Sequence, residues 1–186
     1  MIKSIYKFLI RKINGYSLFY LFRWQIEDLL ITLSSYIPTM LGLLIRYFLL
    51  KMLLLKSTGF HWISSGVQIV HPGRIRMGSN VGINTGTSIN GVGFVDIGDF
   101  VLMGNNVTIS SGMHPISGNF PEIYTRPTVP KKIIIERDVW IGAGAVILPG
   151  VTLKMGSVIG ANSVVNRDTS PYSINVGTPI IEIGFR

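Results

Sequence analysis

One histidine stands where the chain could hold a catalytic base. His114 lies in the run NNVTISSGMHP, at the start of a proline-rich segment that interrupts an otherwise regular sequence. A neutral imidazole has an ordinary pKa of ~6.5 and can accept a proton near neutral pH, which is the chemistry of a general base. A lone histidine is more often structural, and we interpret His61 and His71, which lack such a setting, as structural.

The element that must position His114 is a repeat of six residues. From Ile135 to Thr169 the chain reads IERDVW, IGAGAV, ILPGVT, LKMGSV, IGANSV and VNRDTS. Each hexad opens with an aliphatic residue, and its fifth place is small or β-branched. This period fits neither a helix nor a two-faced strand and is typical of a solenoid. We predict a mainly β fold, a parallel β-helix with three hexads, about 18 residues, in each triangular coil.

The repeat is interrupted twice before Ile135. Aliphatic residues six apart run from Met77 to Val95, and the register resumes at Ile97 after a two-residue slip, which we interpret as a bulge at a corner. The rhythm is then lost between Gly112 and Ile133, where four prolines predict a protruding loop at about 113–132. A long excursion from a regular scaffold is often functional, which strengthens the case for a role of the segment that begins at His114.

The N-terminal third has helical rather than hexad spacing. Its pattern predicts a basic amphipathic helix over Met1–Ile13 and a second helix over Leu18–Leu33. The run Leu29–Ile45 has no charged residue, but Pro38 and Gly42 interrupt it. We therefore favour a helix that lies in the membrane interface over one that spans the bilayer. The alternative is that these helices pack on the solenoid or on neighbouring subunits.

Composition and charge divide the chain at about residue 60. The 186 residues are 47% apolar and carry a net charge of +8. Residues 1–60 hold eight of the 17 Lys and Arg but two of the nine Asp and Glu. We therefore predict a hydrophobic, basic helical segment, 1–60, followed by a β-helix domain, 61–186. The absence of cysteine excludes disulfides and thiolate metal sites. Nucleic-acid binding is not expected, because the basic residues alternate with Leu, Ile and Phe.

Two stretches carry a resemblance to a known family. The hexads, with the run DVWIGAGAVILPGVTLKMGSVIGANSVV over Asp138–Val165, and the sequence NNVTISSGMHP are similar to those of the hexapeptide-repeat acyltransferases, particularly sugar and surface-polysaccharide O-acetyltransferases. The resemblance covers roughly residues 65–180. It implies a left-handed β-helix, an exception to the usual right-handed crossover. It also implies a homotrimer that binds acetyl-CoA as co-substrate in clefts between neighbouring β-helices, without a metal.

The resemblance also implies roles for single residues. His114 matches the family's catalytic histidine, and Asn84 matches an asparagine that contacts the acceptor. Five further positions match contacts to coenzyme A, the first three along the pantetheine arm and the last two near the nucleotide: Trp140, Ala143, Ala161, Asn166 and Arg167. Structural alternatives stay open, since Trp140 could pack outward, Asn84 could serve a corner with positive φ, and Arg167 could be a solvated charge.

Three departures from the family pattern bear on the substrates. Where the family reads Gly-Val-Pro-X-Arg, this chain reads GTPII over residues 177–181, so an arginine near the coenzyme phosphates is missing and Arg186 or Lys154 would have to replace it. An aspartate that contacts sugar in the galactoside enzymes falls on Val92. The short polar N-terminal segment of those enzymes is replaced here by about sixty apolar and basic residues, so a free galactoside is not the expected acceptor.

These implications predict an O-acetyltransferase that moves an acetyl group from acetyl-CoA to a saccharide hydroxyl, with His114 as general base. The expected acceptor is a lipid-linked or nucleotide-linked precursor of a bacterial surface polysaccharide, at the inner face of the cytoplasmic membrane. Three alternatives stay open: an antibiotic acetyltransferase of the same fold, a non-catalytic β-helix scaffold, and a γ-class carbonic anhydrase. The last needs three converging histidines, and this sequence does not pair its histidines closely.

Overall fold

The computed structural model describes residues 18–118 and 122–186. The predicted helix over Met1–Ile13 therefore lies outside the described residues. Two helices come first, α1 (Leu18–Ser35) and α2 (Thr39–Leu53), and short strands follow. Among the described residues, no helix combines the length and the apolar character that a membrane crossing requires. The helix predicted over Leu18–Leu33 is thus observed. The helical conformation is interrupted before Pro38, and the second helix begins at Thr39.

The strands after α2 form three parallel sheets, which are the three faces of a β-helix. Face 1 contains β1 (Lys56–Ser57), β4 (Ile75–Met77), β7 (Val95–Ile97), β12 (Ile133–Ile135) and β15 (Thr152–Leu153). Face 2 contains β2 (His61–Ile63), β5 (Val81–Ile83), β8 (Leu102–Met103), β13 (Trp140–Ile141), β16 (Val158–Ile159) and β18 (Ser173–Val176). Face 3 contains β3 (Gln68–Val70), β6 (Ser88–Asn90), β9 (Thr108–Ser110), β14 (Val146–Ile147) and β17 (Val164–Val165). The predicted parallel β-helix is confirmed.

Two antiparallel pairings depart from this pattern. β10 (Gly112–Met113) pairs with β11 (Val129–Pro130) at the base of the proline-rich loop. β19 (Ile181–Phe185) folds back on β18 and ends the chain. The first coil starts at Lys56, a few residues before the boundary that composition indicated.

The aliphatic column of the hexads fills the interior of the β-helix. Its six members are at most 1% exposed: Ile135, Ile141, Ile147, Leu153, Ile159 and Val165. The small and β-branched column is also buried, from Val139 to Thr169. A strand of two or three residues cannot bury an aliphatic side chain by itself, so each coil is stable only when stacked on its neighbours.

Coil length changes along the chain, which corrects one prediction. Early partners are 20 residues apart, as in His61↔Val81 and Gln68↔Ser88, whereas most partners after the loop are 18 apart, as in Ile134↔Thr152. The last pair of parallel strands is 16 apart, as in Ile159↔Asn175. The prediction of 18 residues per coil is therefore right only for the coils between the loop and the last strand pairing.

The predicted bulge at Val95–Ile97 is also wrong. That segment is a regular strand in parallel register with both neighbours. The two additional residues belong instead to the corner between faces 3 and 1. One early corner there holds a 3₁₀ turn, Pro72–Arg74, and the next is the Gly91–Phe94 turn.

The two helices, which we call the helix pair, cover the first coil of the β-helix. α1 contacts β3, and α2 contacts β1, β2 and the Pro72–Arg74 turn. Ile31, Leu50 and Leu54 join the apolar core of the coil. Arg46 is 4% exposed, and its guanidinium donates to the carbonyl oxygens of Ile63, Ser34 and Ile37 at 2.7–2.9 Å. The helix pair thus caps the end of the solenoid, as the packing alternative predicted.

Gly42 allows this close approach and gives a testable prediction. A Cβ at Gly42 would lie 1.9 Å from the carbonyl oxygen of Ile37 and 2.9 Å from Nη1 of Arg46. In an exposed helix, Gly→Ala stabilises by about 0.5–1 kcal/mol. Gly42→Ala should instead lower the free energy of unfolding by about 1–3 kcal/mol through overpacking. Urea unfolding measures it, with Gly184→Ala as the control because nothing lies within 4 Å of that added Cβ. A stabilised Gly42→Ala variant would contradict the packing.

Candidate active site

His114 lies just beyond β10, at the root of the loop that leaves the β-helix. Its side chain is exposed, and Nδ1 lies 3.1 Å from the carbonyl oxygen of Arg126 across the loop. A carbonyl oxygen only accepts hydrogen bonds, so Nδ1 must carry the hydrogen in this contact. In the neutral ring Nε2 then holds the free lone pair. Arg126 in turn donates from Nη1 to the carbonyl oxygen of Pro115 at 2.6 Å, which ties the two arms of the loop together.

The corner beneath His114 is fixed by a buried serine. The Ser111 hydroxyl is fully buried, donates to the carbonyl oxygen of Asn90 at 2.7 Å and accepts from the Gly93 amide at 2.8 Å. Val92 lies against Gly112, since a Cβ on this glycine would come within 2.4 Å of the Val92 Cγ1. Val92, which the resemblance matches to an aspartate, is thus an apolar contact of Gly112, two residues before His114 in the chain.

Four predicted residues lie on face 2 or at the corner between faces 2 and 3, which we call the Asn84 corner. Asn84 follows β5 directly, and its backbone N–H donates to the carbonyl oxygen of Met103 at 3.2 Å. Ala143 and Ala161 occupy the same corner in successive coils, and both are exposed. The backbone N–H of Asn162 donates to the carbonyl oxygen of Ala143 at 2.8 Å. Trp140 points outward on face 2 and is 52% exposed.

The other predicted residues lie at the corner between faces 3 and 1, which we call the His114 corner. Asn166 and Arg167 follow β17 and are exposed. The Arg167 guanidinium donates to the carbonyl oxygen of Ile180. The predicted site residues therefore form two groups on different corners, and a single chain does not bring Asn84 to His114.

The two cations considered as replacements for the missing arginine have acidic partners. Lys154 Nζ lies 3.3 Å from Glu136, and Arg186 contacts Asp138 at 2.5 Å. Both pairs are exposed, so they are weak and each cation can still exchange partners. At the position of the missing arginine, Ile181 is 55% exposed.

The three histidines occupy separate places. His61 is fully buried with Nε2 2.7 Å from the Ser57 hydroxyl, and burial, with a smaller contribution from Lys51, lowers its pKa. His71 stacks on Trp24 at 5.7 Å between ring centroids. Burial is also the main cause of the lowered pKa of His71. In the described parts of the chain, no three His, Asp or Glu side chains group as metal ligands would.

Sequence reasoning missed two residues that shape this site. Arg126 supplies the carbonyl that orients His114, and Ser111 locks the corner. No motif marks Arg126, because its contact uses the backbone. Ser111 is in the third place of the hexad that opens at Ile109, so the small, inward fifth place of the repeat gives no signal for its burial.

Comparison with known proteins identifies the repeat. The family described as "Bacterial transferase hexapeptide (six repeats)" matches residues 132–167, which run through the coils after the loop. Residues 132–167 are therefore hexapeptide repeats. The resemblance predicted from the sequence is thus confirmed.

Two relatives of the chain are named as enzymes that transfer acyl groups to sugars. It is 40% identical over 109 residues to the galactoside O-acetyltransferase of Lactococcus lactis subsp. lactis (strain IL1403), which covers 55% of this chain and 51% of the relative. It is 36% identical over 108 residues to the dTDP-4-amino-4,6-dideoxy-D-glucose acyltransferase of Escherichia coli, which covers 54% of this chain and 55% of the relative. The chain thus spans about half the length of the curated relatives it matches.

A solved structure with bound donor has the same architecture. The hexapeptide-repeat acetyltransferase of Vibrio cholerae O1 biovar eltor, complexed with acetyl coenzyme A, matches with a TM-score of 0.82 at 27% identity. The match covers 92% of this chain and 91% of that chain. This is more than the β-helix alone provides, so the match extends into the helix pair. The helix pair therefore has a structural counterpart in that protein.

Proposed function

We propose that the protein is an O-acetyltransferase that moves an acetyl group from acetyl-CoA to a saccharide hydroxyl. The observation that carries this proposal is the contact between His114 Nδ1 and the Arg126 carbonyl, which leaves Nε2 as a proton acceptor at an exposed corner. The acyltransferase relatives and the acetyl-CoA complex of the V. cholerae neighbour support the donor and the reaction type.

His114 would act as general base in a direct transfer. As the sugar oxygen attacks the thioester carbonyl carbon, Nε2 takes the hydroxyl proton. The imidazolium then returns that proton to the departing thiolate. Backbone N–H groups of Gly112–Met113, or of a neighbouring subunit, are the donors proposed for the oxyanion. The chain has no cysteine, so no cysteine thiol can act as a nucleophile. Direct transfer does not need one.

The donor is proposed to lie along the Asn84 corner. Ala143 and Ala161 present no side chain beyond Cβ there, so the backbone of two successive coils is open to an extended arm. The exposed Trp140 ring lies on face 2, in the strand β13 that ends two residues before Ala143, and can pack against the apolar part of pantetheine. Asn166 and Arg167, on the His114 corner, are proposed to contact the nucleotide end.

A homotrimer is proposed because the two corners must meet between chains. The outward side of face 2 is apolar, with one column that runs through Trp62, Gly82, Leu102 and Trp140. The outward side of face 1 carries charges instead, such as Asp96 paired with Lys132 at 2.5 Å. Packing face 2 of one chain against the side of the next chain that carries the His114 corner would bring the Asn84 corner of the first towards the His114 corner of the second.

Leu102→Glu tests this interface. Leu102 is 47% exposed on face 2, so a carboxylate there should dissociate the oligomer without unfolding the coil. Light scattering after size exclusion should show a mass that falls towards the 20.6 kDa of one chain. The matched control is Ile134→Glu on face 1, which should leave the mass unchanged. A wild-type mass of one chain, or a Leu102→Glu variant that stays assembled, would contradict the proposal.

The acceptor is proposed to be a saccharide, contacted by Asn84, in a lipid-linked or nucleotide-linked precursor of a surface polysaccharide. Val92 beside the His114 corner offers no carboxylate for a free galactoside. The experiment is to incubate bacterial membranes and the soluble nucleotide-sugar fraction separately with the protein and labelled acetyl-CoA. Label in the saccharide of either fraction supports the reaction, and the fraction identifies the carrier. Binding of acetyl-CoA without transfer to any saccharide would overturn it.

A further inference from the structure

The helix pair has large apolar side chains on the side that faces away from the β-helix. In α1 they recur every three or four residues, and α2 repeats the pattern. Twelve such side chains are between 37% and 82% exposed: Phe19, Phe22, Ile26, Leu29, Leu30, Leu33, Met40, Leu41, Leu44, Ile45, Phe48 and Met52. We call this surface the outer face of the helix pair. Contiguous apolar surface of this kind marks an interaction site.

The buried side of the same helices mixes polar residues with apolar ones. Glu27, Ser34, Ser35 and Arg46 are 4–8% exposed and lie beside the buried Ile31, Leu43 and Leu50. Each polar side chain has a partner within the protein: Glu27 pairs with Arg23 at 2.6 Å, the two serines donate to carbonyls within α1, and Arg46 donates to three carbonyls. Buried polar groups behind a largely apolar outer face are the reverse of a helix that faces water. This is the arrangement expected where the outside is lipid.

The charges around the outer face favour an anionic bilayer as the occupant. The sequence from Leu29 to Val95, which includes α2 and the first coil, has no Asp or Glu but has five basic residues: Arg46, Lys51, Lys56, Arg74 and Arg76. Arg46 is buried and Arg76 pairs with Asp96, whereas Lys51 and Lys56 are exposed where α2 ends and the first strand begins. Exposed lysines beside an apolar surface are attracted to anionic lipids, at about 1 kcal/mol for each Lys or Arg near the membrane. They outnumber the one exposed carboxylate of α1, Asp28.

We infer that the outer face of the helix pair docks flat on an anionic lipid bilayer and holds the β-helix upright on it. The helix pair covers one end of the β-helix. A bilayer that contacts the helix pair is therefore perpendicular to the axis of the β-helix. The His114 loop follows β9, which is two strand spacings from β3. With ~4.8 Å per spacing and ~10 Å for the helix layer, His114 lies about 20 Å above the bilayer. If the proposed function holds, the acceptor hydroxyl must reach that height.

Vesicle sedimentation with the full chain tests the docking. Wild type should sediment with phosphatidylglycerol–phosphatidylcholine vesicles and far less with phosphatidylcholine alone, and added salt should weaken binding. The triple variant Leu33→Gln, Leu44→Gln, Phe48→Gln should lower the partition coefficient by about tenfold or more. The matched control changes three equally exposed apolar residues of β19, at the other end of the β-helix, to Gln: Ile181, Ile183 and Phe185. That control should bind vesicles as wild type does.

Two results would overturn the inference. One is equal sedimentation of wild type and the helix variant. The other is a wild type that does not bind vesicles, together with a helix variant whose mass in solution is lower than that of wild type. That result would make the outer face a contact between copies of the chain. Acetyl-CoA binding and transfer to a soluble saccharide are measured alongside. Vesicle binding without any transfer would remove the proposed function and leave the docking intact.

Discussion

His114→Ala should lower acetyl transfer by about 10²–10⁴-fold, the usual contribution of a general base. The side chain is exposed in a loop, so acetyl-CoA binding, oligomer mass and thermal stability should all stay close to wild type. Single-turnover transfer to the saccharide identified by labelling, together with calorimetry for the donor, separates the chemical step from binding.

The matched control for this variant lies in the same loop. Ile116 is 85% exposed, so Ile116→Ala should change transfer little. If His114→Ala stayed within about tenfold of wild type, its Nε2 would not be the proton acceptor. If both variants lost transfer equally, the loop itself would be required rather than the imidazole.

Arg46→Met should give a large loss of stability. It removes the donor to three carbonyl oxygens from a site that is 4% exposed. A buried acceptor left without a partner costs about 1–3 kcal/mol, so the free energy of unfolding should fall by about 3 kcal/mol or more. Burial lowers the Arg46 pKa from its ordinary value, but two of the three carbonyls belong to the C-terminal end of α1 and its following turn, where a positive charge is stabilised.

Arg76→Met is the control for Arg46. Its side chain is 55% exposed and lies 3.7 Å from Asp96, so its loss should change stability by no more than about 0.5 kcal/mol. Urea unfolding of both variants measures the difference. Similar free energies for the two would show that the Arg46 hydrogen bonds do not anchor the helix pair.

The β-helix could be predicted from the sequence because its period reports its packing directly. Each hexad supplies one inward aliphatic residue, such as Ile141 or Ile147, whatever the rest of the chain does. The coil length could not be predicted in the same way. A corner such as Gly91–Phe94 faces outward and can hold extra residues without moving the strands it joins, so the hexads leave its length open.

The location of His114 in the fold could be predicted, but the arrangement of the candidate residues around it could not. The motif placed His114 at the loop, and the structure places it there. Its hydrogen bond to Arg126 could not be predicted, because a carbonyl contact across a loop of irregular backbone leaves no pattern in side-chain types. The inward polar stripe of the helix pair was also hidden, since residues such as Arg46 look like ordinary breaks in an apolar run.

The loop that carries His114 leaves and rejoins the β-helix at nearly the same point. The Lys131 amide donates to the carbonyl oxygen of Ser111 at 2.8 Å, and β12 then pairs with β7 as if the intervening residues were not there. The stacked coils therefore set no limit on what is inserted between these two residues. We expect that this one segment can be exchanged between homologues, while the scaffold that supports it stays unaltered.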